Sequence, residues 1–163
     1  MLKSKMFLAM PPPILIYDGV CGLCNRLVQF ILRRDRHAIF RFASLQSAFA
    51  GRILTRHGVN PSDLDTVYVV VNHDPAKDAP NDSPQGAPSN EYLLARSDAV
   101  LFILNQFGGF CRVLAFFLRL SPKFLRDRAY NAVARRRYRI FGRSETCALP
   151  SPQDRSRFLD LHQ

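Results

Sequence analysis

The sequence predicts an α/β fold ordered β-α-β-α-β-β-α, followed by additional C-terminal helices. Three observations carry this expectation. Short apolar runs alternate with stretches whose apolar residues recur every three or four positions. A Cys-x-x-Cys motif, Cys21-Gly22-Leu23-Cys24, stands where the first run meets the first helical stretch. The chain has 163 residues, 47% hydrophobic and 22% charged, which suits one globular domain with a substantial core.

Ile14-Leu15-Ile16-Tyr17 reads as the first strand. Cys24, Leu27, Val28 and Ile31 then fall on a single helical stripe, with Arg26, Arg33 and Arg34 off it. Ile39 to Ala43 alternates as a strand does. Leu45, Phe49 and Ile53 recur at four-residue spacing, predicting a helix that ends near His57-Gly58. Thr66 to Val71 is a continuous β-branched run, expected as a central strand buried on both faces. His73 to Asn90, rich in Pro, Asp, Ser and Gly, reads as a surface loop. Glu91 to Ala95 is expected to pair antiparallel with the strand before that loop. Ser97-Asp98 is suited to cap a helix from Ala99 to Phe107, which Gly108-Gly109 stops. This is the core order of a thioredoxin-like fold.

Beyond that core, Phe110 to Leu120 predicts a further helix. Ser121-Pro122 opens another that reaches about Ile140, with Gly142 as its stop. Leu125, Ala129, Val133, Arg136 and Ile140 are expected to mark its inner side. From Ser144 onward the pattern is weak, with a short terminal helix expected around Phe158 to Leu161. The expected organisation is an N-terminal extension over residues 1–13, one domain over 14–147 that includes the added helices, and a tail over 148–163.

The chemistry centres on the two cysteines. A helix start presents unpaired N–H groups and the positive end of the helix dipole, and both favour a thiolate at Cys21. Cys24 lies on the apolar stripe and should face the core, leaving Cys21 at the open end of the helix. That asymmetry makes Cys21 the attacking thiol and Cys24 the resolving one. Asp18, three residues before Cys21, either takes the proton from Cys24 or makes the turn and caps nearby N–H groups. Cys111 reads as a small buried hydrophobe. The four histidines, His37, His57, His73 and His162, show no ligand spacing and read as surface residues. No cofactor or resident metal is expected, since no second Cys-x-x-Cys or His-x-x-x-His completes a zinc site.

The net charge is +10, and Arg119 to Arg143 carries nine basic residues against the single acid Asp127, a net of +8. Such a segment either attracts anionic surfaces or is a solvated helix face; no nucleic-acid module accompanies it, so no nucleic-acid partner is expected. The apolar stretch at Met1 to Met10 is too short for a signal peptide, and Ala99 to Leu120 is too interrupted for a membrane span. A reducing cytoplasm is the expected location, where a reductase role fits better than an oxidase role.

Tyr17-Asp18-Gly19-Val20-Cys21-Gly22-Leu23-Cys24-Asn25-Arg26 resembles the signature of the DCC family of thiol-disulfide oxidoreductases. Three later blocks are similar to that family in the same order: Arg41 to Ser47, Ser97 to Val100, and Arg137 to Arg143. The resemblance implies a thioredoxin-like fold and redox activity. It also draws in Ser97, Asp98, Arg139 and a late cysteine, Cys147, as supporting residues, while Arg137, Arg139 and Arg143 either bind an acidic substrate or steady a Cys21 thiolate, or pair with surface acids and stay solvated. One departure concerns the cis-proline that thioredoxins place just before the third strand, where this chain has Asp65-Thr66. The expected partner is therefore either a disulfide-bearing protein or a small thiol such as glutathione. Two other readings compete with the redox one: a basic membrane- or nucleic-acid-binding module with structural cysteines, and a metal-binding protein using Cys21, Cys24 and Cys147.

Overall fold

The computed structural model describes residues 11–60, 66–73, 90–143 and 151–160. Strand β1 (Ile14–Tyr17) is buried along its whole length because its alternate side chains serve two cores. Leu15 and Tyr17 pack with Val28, Ile31 and Phe40, whereas Ile14 and Ile16 pack with Phe49 and Ile53. β1 pairs parallel with β2 (Arg41–Ser44) and antiparallel with β3 (Tyr68–Val71). β3 in turn pairs antiparallel with β4 (Tyr92–Ala95), giving the order β2-β1-β3-β4. The hairpin is the expected one, though residues 74–89 of its loop lie outside the described residues.

Helix α1 (Gly22–Arg34) buries Cys24, Val28 and Ile31 on one face of the sheet. Helix α2 (Ala48–Arg56) covers the other face, and its start is fixed by Ser47, whose Oγ accepts the Ala50 N–H at 3.1 Å. Helices α3 (Arg96–Gln106), α4 (Phe110–Leu120) and α5 (Lys123–Phe141) follow in order. α5 packs on both α1 and α3, so the added helices thicken the layer that holds the cysteines. The thioredoxin-like α/β core with C-terminal helices is present as the sequence implies. No described helix is long and apolar enough to cross a membrane.

Four local expectations are corrected. α3 begins at Arg96, so Ser97 and Asp98 sit inside its first turn and do not cap it; the cap position is Ala95, without a side-chain hydrogen bond. The inner side of α5 is not Leu125, Ala129, Val133, Arg136 and Ile140, all of which are exposed. Ala134 and Arg137 are buried instead, because the layer beneath offers polar partners for this helix. The terminal segment forms a short 3-10 turn at Arg155–Arg157 just before Phe158. Phe158 stacks on Phe42 with ring centroids 5.0 Å apart, and the Leu159 N–H donates to the Phe42 carbonyl at 2.9 Å, so this stretch covers the edge of β2. Buried Arg157 anchors it through an ion pair with Asp35 and a 3.2 Å bond to the Phe40 carbonyl. Finally, His73 is buried rather than on the surface. It shares the Glu91 carboxylate with His57, at 3.0 and 2.9 Å, holding the mouth of the hairpin to the end of α2.

Candidate functional site

β1 ends at Tyr17, and the turn from Asp18 delivers the chain into α1 with Cys21 as the residue just before the first helical turn. The Cys21 N–H donates to the Asp18 carbonyl at 3.2 Å, and the Asn25 N–H donates to the Cys21 carbonyl at 3.0 Å. Cys24 lies one turn on, and the two thiols are close enough to act on each other. Burial pushes the Cys24 thiol up to about 12, and the neighbouring Cys21 sulfur adds to the rise. A hydrogen bond with the Asp18 backbone and the Arg137 guanidinium pull the other way. A thiol held so firmly protonated is a poor initial nucleophile.

Cys21 was expected at the open end of the helix, and here the structure disagrees. Cys21 has 0% exposure and Cys24 has 3%. The cover comes from the far end of the chain. Residues Phe141 to Arg143 lie across the start of α1: Cys21 forms an antiparallel bridge with Arg143, and the Gly22 N–H donates to the Gly142 carbonyl at 3.3 Å. Only glycine permits that approach, since a Cβ at position 22 would stand 2.3 Å from the Phe141 carbonyl oxygen. Gly142, at φ 72°, turns the chain out of α5 in the left-handed region, as its reading as a helix stop implies.

Beneath this cover sits the Asp18 carboxylate, itself fully buried. One oxygen accepts the Val20 N–H at 3.1 Å and the Gln46 side-chain amide at 2.9 Å. The other accepts Arg137 at 3.1 Å and the Tyr138 hydroxyl. Arg137 also donates to the Tyr138 oxygen at 2.8 Å, and the Arg143 guanidinium lies 4.8 Å from the centre of the Tyr138 ring. Asp18 therefore makes its turn and, in addition, ties α5 to the cysteine loop. Its four donors occupy the carboxylate in this closed arrangement.

The other singled-out residues fall into three places. Ser97 is buried and donates to Asp127, while Asp98 pairs with Lys123 and with Arg126 at 3.5 Å, so both clamp α3 to α5. Arg139 is exposed on α5, whereas Arg137, two residues earlier, bonds to the Asp18 carboxylate. Cys147 lies outside the described residues. Cys111 is buried as expected and accepts a bond from Arg34 at 3.4 Å. Among the described residues no group of three His, Cys, Asp or Glu is gathered to hold a metal ion.

Sequence reasoning gave no individual role to Gln46, Tyr130 or Tyr138. Gln46 and Tyr138 lie within the second and fourth blocks of the resemblance, and those blocks meet the first one at Asp18. The Tyr130 hydroxyl accepts the Val67 N–H at 2.9 Å, just ahead of β3, so α5 also occupies the backbone donor beside the cysteines. A cavity of about 360 Å³ opens next to Cys24, walled by Leu23, Leu27, Val67, Val100, Leu118 and Tyr130. The Cys24 thiol thus borders an almost wholly apolar space.

Residues 15–143 match the family described as DCC1-like thiol-disulfide oxidoreductase. A DCC family protein of Arabidopsis thaliana, described as chloroplastic, is 38% identical over 137 residues, covering 84% of this chain and 69% of the relative. The uncharacterised protein YuxK of Bacillus subtilis is 32% identical over 149 residues, covering 91% of this chain and 95% of the relative. No solved structure gives a significant match. With a strand-turn-helix that holds two neighbouring thiols, and with a family match from β1 to the end of α5, the chain belongs to the DCC1-like thiol-disulfide oxidoreductase family.

Proposed function

We propose that the chain reduces disulfides of proteins or of small thiols such as glutathione, using Cys21 and Cys24 as its dithiol. The observation that carries this reading is the pairing itself. Two thiols stand close together at the start of one helix, and burial holds one of them protonated. Cys21 attacks one sulfur of the substrate disulfide, the substrate S–S bond breaks, and a mixed disulfide forms as the first substrate thiolate leaves. Cys24 then attacks the Cys21 sulfur and gives up its proton to the departing second thiolate. The Cys21–Cys24 disulfide forms as two electrons pass to the substrate. Arg137, which favours the charged form of Cys24, assists that second step as a positioning residue.

Access to Cys21 sets the first requirement. With its sulfur covered by Phe141 to Arg143, the end of α5 must lift before a substrate reaches it. The contacts that hold it down are mostly polar, and water can replace such bonds. Cys21→Ser abolishes reduction of an aromatic disulfide or of insulin, and Cys24→Ser accumulates a mixed disulfide at Cys21. Full activity in both variants overturns the assignment.

A further inference from the structure

Helix α4 has two apolar sides. Cys111, Ala115 and Leu118 face the protein, while Phe110, Val113, Phe117 and Leu120 form a second stripe that faces out. Phe110 is 74% exposed, Leu120 76%, and Phe124 at the start of α5 72%. Of the twelve large apolar side chains exposed among the described residues, ten lie between Phe110 and Ile140. The flank of α5 carrying Leu125, Val133 and Ile140 belongs to the same set. A concentration of this kind marks a docking surface rather than the scattered exposure of an ordinary monomer.

The charges around it indicate what docks. α4 contains no acid, and its two arginines, Arg112 and Arg119, lie together along one edge of the apolar stripe. α5 adds exposed Arg128, Arg135, Arg136 and Arg139, within the segment of net +8. A second copy of the chain would set one strongly positive face against another. A negatively charged partner is matched instead, and it must also accept phenylalanine and leucine side chains. Apolar side chains bordered by arginine are the pattern of a helix lying in a lipid interface. We propose that the outer face of α4 and the exposed apolar flank of α5 dock on an anionic lipid bilayer. The phenylalanines and leucines enter the boundary between headgroups and acyl chains, and the arginines meet headgroup phosphates.

The test is sedimentation of the full reduced chain with vesicles of phosphatidylcholine alone or with about a third phosphatidylglycerol, at low salt and at roughly 0.5 M salt. Binding is expected on the anionic vesicles, weaker by about tenfold or more on neutral ones and at high salt. Phe117→Glu with Leu120→Glu, and separately Arg128→Glu with Arg135→Glu, each lower it by about tenfold or more. Thiol exchange and the unfolding midpoint stay unchanged in both. Serines at positions 117 and 120 replace the glutamates if those disturb folding. No binding to anionic vesicles, equal binding to neutral ones, or retention by the Phe117 variant overturns the proposal. So does a wild-type dimer that this variant splits, or tighter binding to duplex nucleic acid that the arginine variant loses and the Phe117 variant keeps.

Discussion

At the start of α1 the Cys21 thiol is fully covered, while on α4 phenylalanines that water disfavours are left bare. The same helix, α5, explains both. Its inner side carries Tyr130, Arg137 and Tyr138, which bond to Val67 and Asp18 and close over the cysteines. Its apolar residues Leu125, Val133 and Ile140 are turned outward, as are the phenylalanines of α4. A buried polar seal can be exchanged for water bonds when it opens, whereas an uncovered apolar face gains only by being covered. The structure thus buries the Cys21 thiol under polar contacts and leaves an apolar face of α4 bare.

The sharpest way to break this contrast is to remove the seal's central charge. Arg137→Ala leaves the Asp18 carboxylate buried without its cation and is expected to cost about 3 to 5 kcal/mol in urea unfolding. If the loss is below about 1 kcal/mol, the ion pair does not hold α5 in place. A smaller effect is expected from Gly22→Ala, whose added methyl meets the Phe141 carbonyl oxygen and must push the end of α5 away. Stability should fall by about 1 to 3 kcal/mol, and Cys21 should alkylate several-fold faster than in the wild type. An unchanged alkylation rate would show that this contact does not limit access.

The hairpin mouth offers a third, milder comparison, a polar cluster away from the thiols. Burial alone would raise the Glu91 carboxyl, but hydrogen bonds from His57 and His73 and the charge of Arg56 outweigh it and hold the group below its ordinary value. A folded-state value lowered from 4.5 means that this stabilisation is fully present above about pH 4.5. It is lost as the pH falls through the lowered value. Glu91→Gln should cost about 1 kcal/mol at neutral pH and flatten the acid limb of the stability profile. Equal acid limbs in the two proteins would remove Glu91 from the account.

How much of this was legible in the sequence depends on how local each signal is. The strands and α1 were readable because Ile14 to Tyr17 and the Cys24-Val28-Ile31 stripe carry their burial in their own spacing. The setting of the Cys-x-x-Cys motif was readable for the same reason, since strand, turn and helix start lie within a dozen residues. The orientation of α5 was not. Apolar periodicity assigns the inner face to Leu125, Val133 and Ile140, yet Arg137 and Tyr138 go inside because Asp18, some 120 residues earlier, supplies their partner. The burial of Cys21 was hidden likewise, as its cover is Arg143. His73 and Glu91 meet across a loop, and Phe158 finds Phe42 from the last residues of the chain. Each miss is a polar or single-residue contact between distant segments, and periodicity within one segment carries no trace of it.

The central claim is that Cys21 and Cys24 form one two-electron couple. It is tested most directly by equilibrating the folded protein with glutathione buffers of graded redox ratio, then quenching with acid and mapping its disulfides by peptide mass spectrometry. The account predicts a Cys21–Cys24 link whose fraction rises in a single transition as the buffer becomes more oxidising. Cysteines 21 and 24 both remaining free thiols at every ratio, while the protein still reduces its substrate, would contradict it.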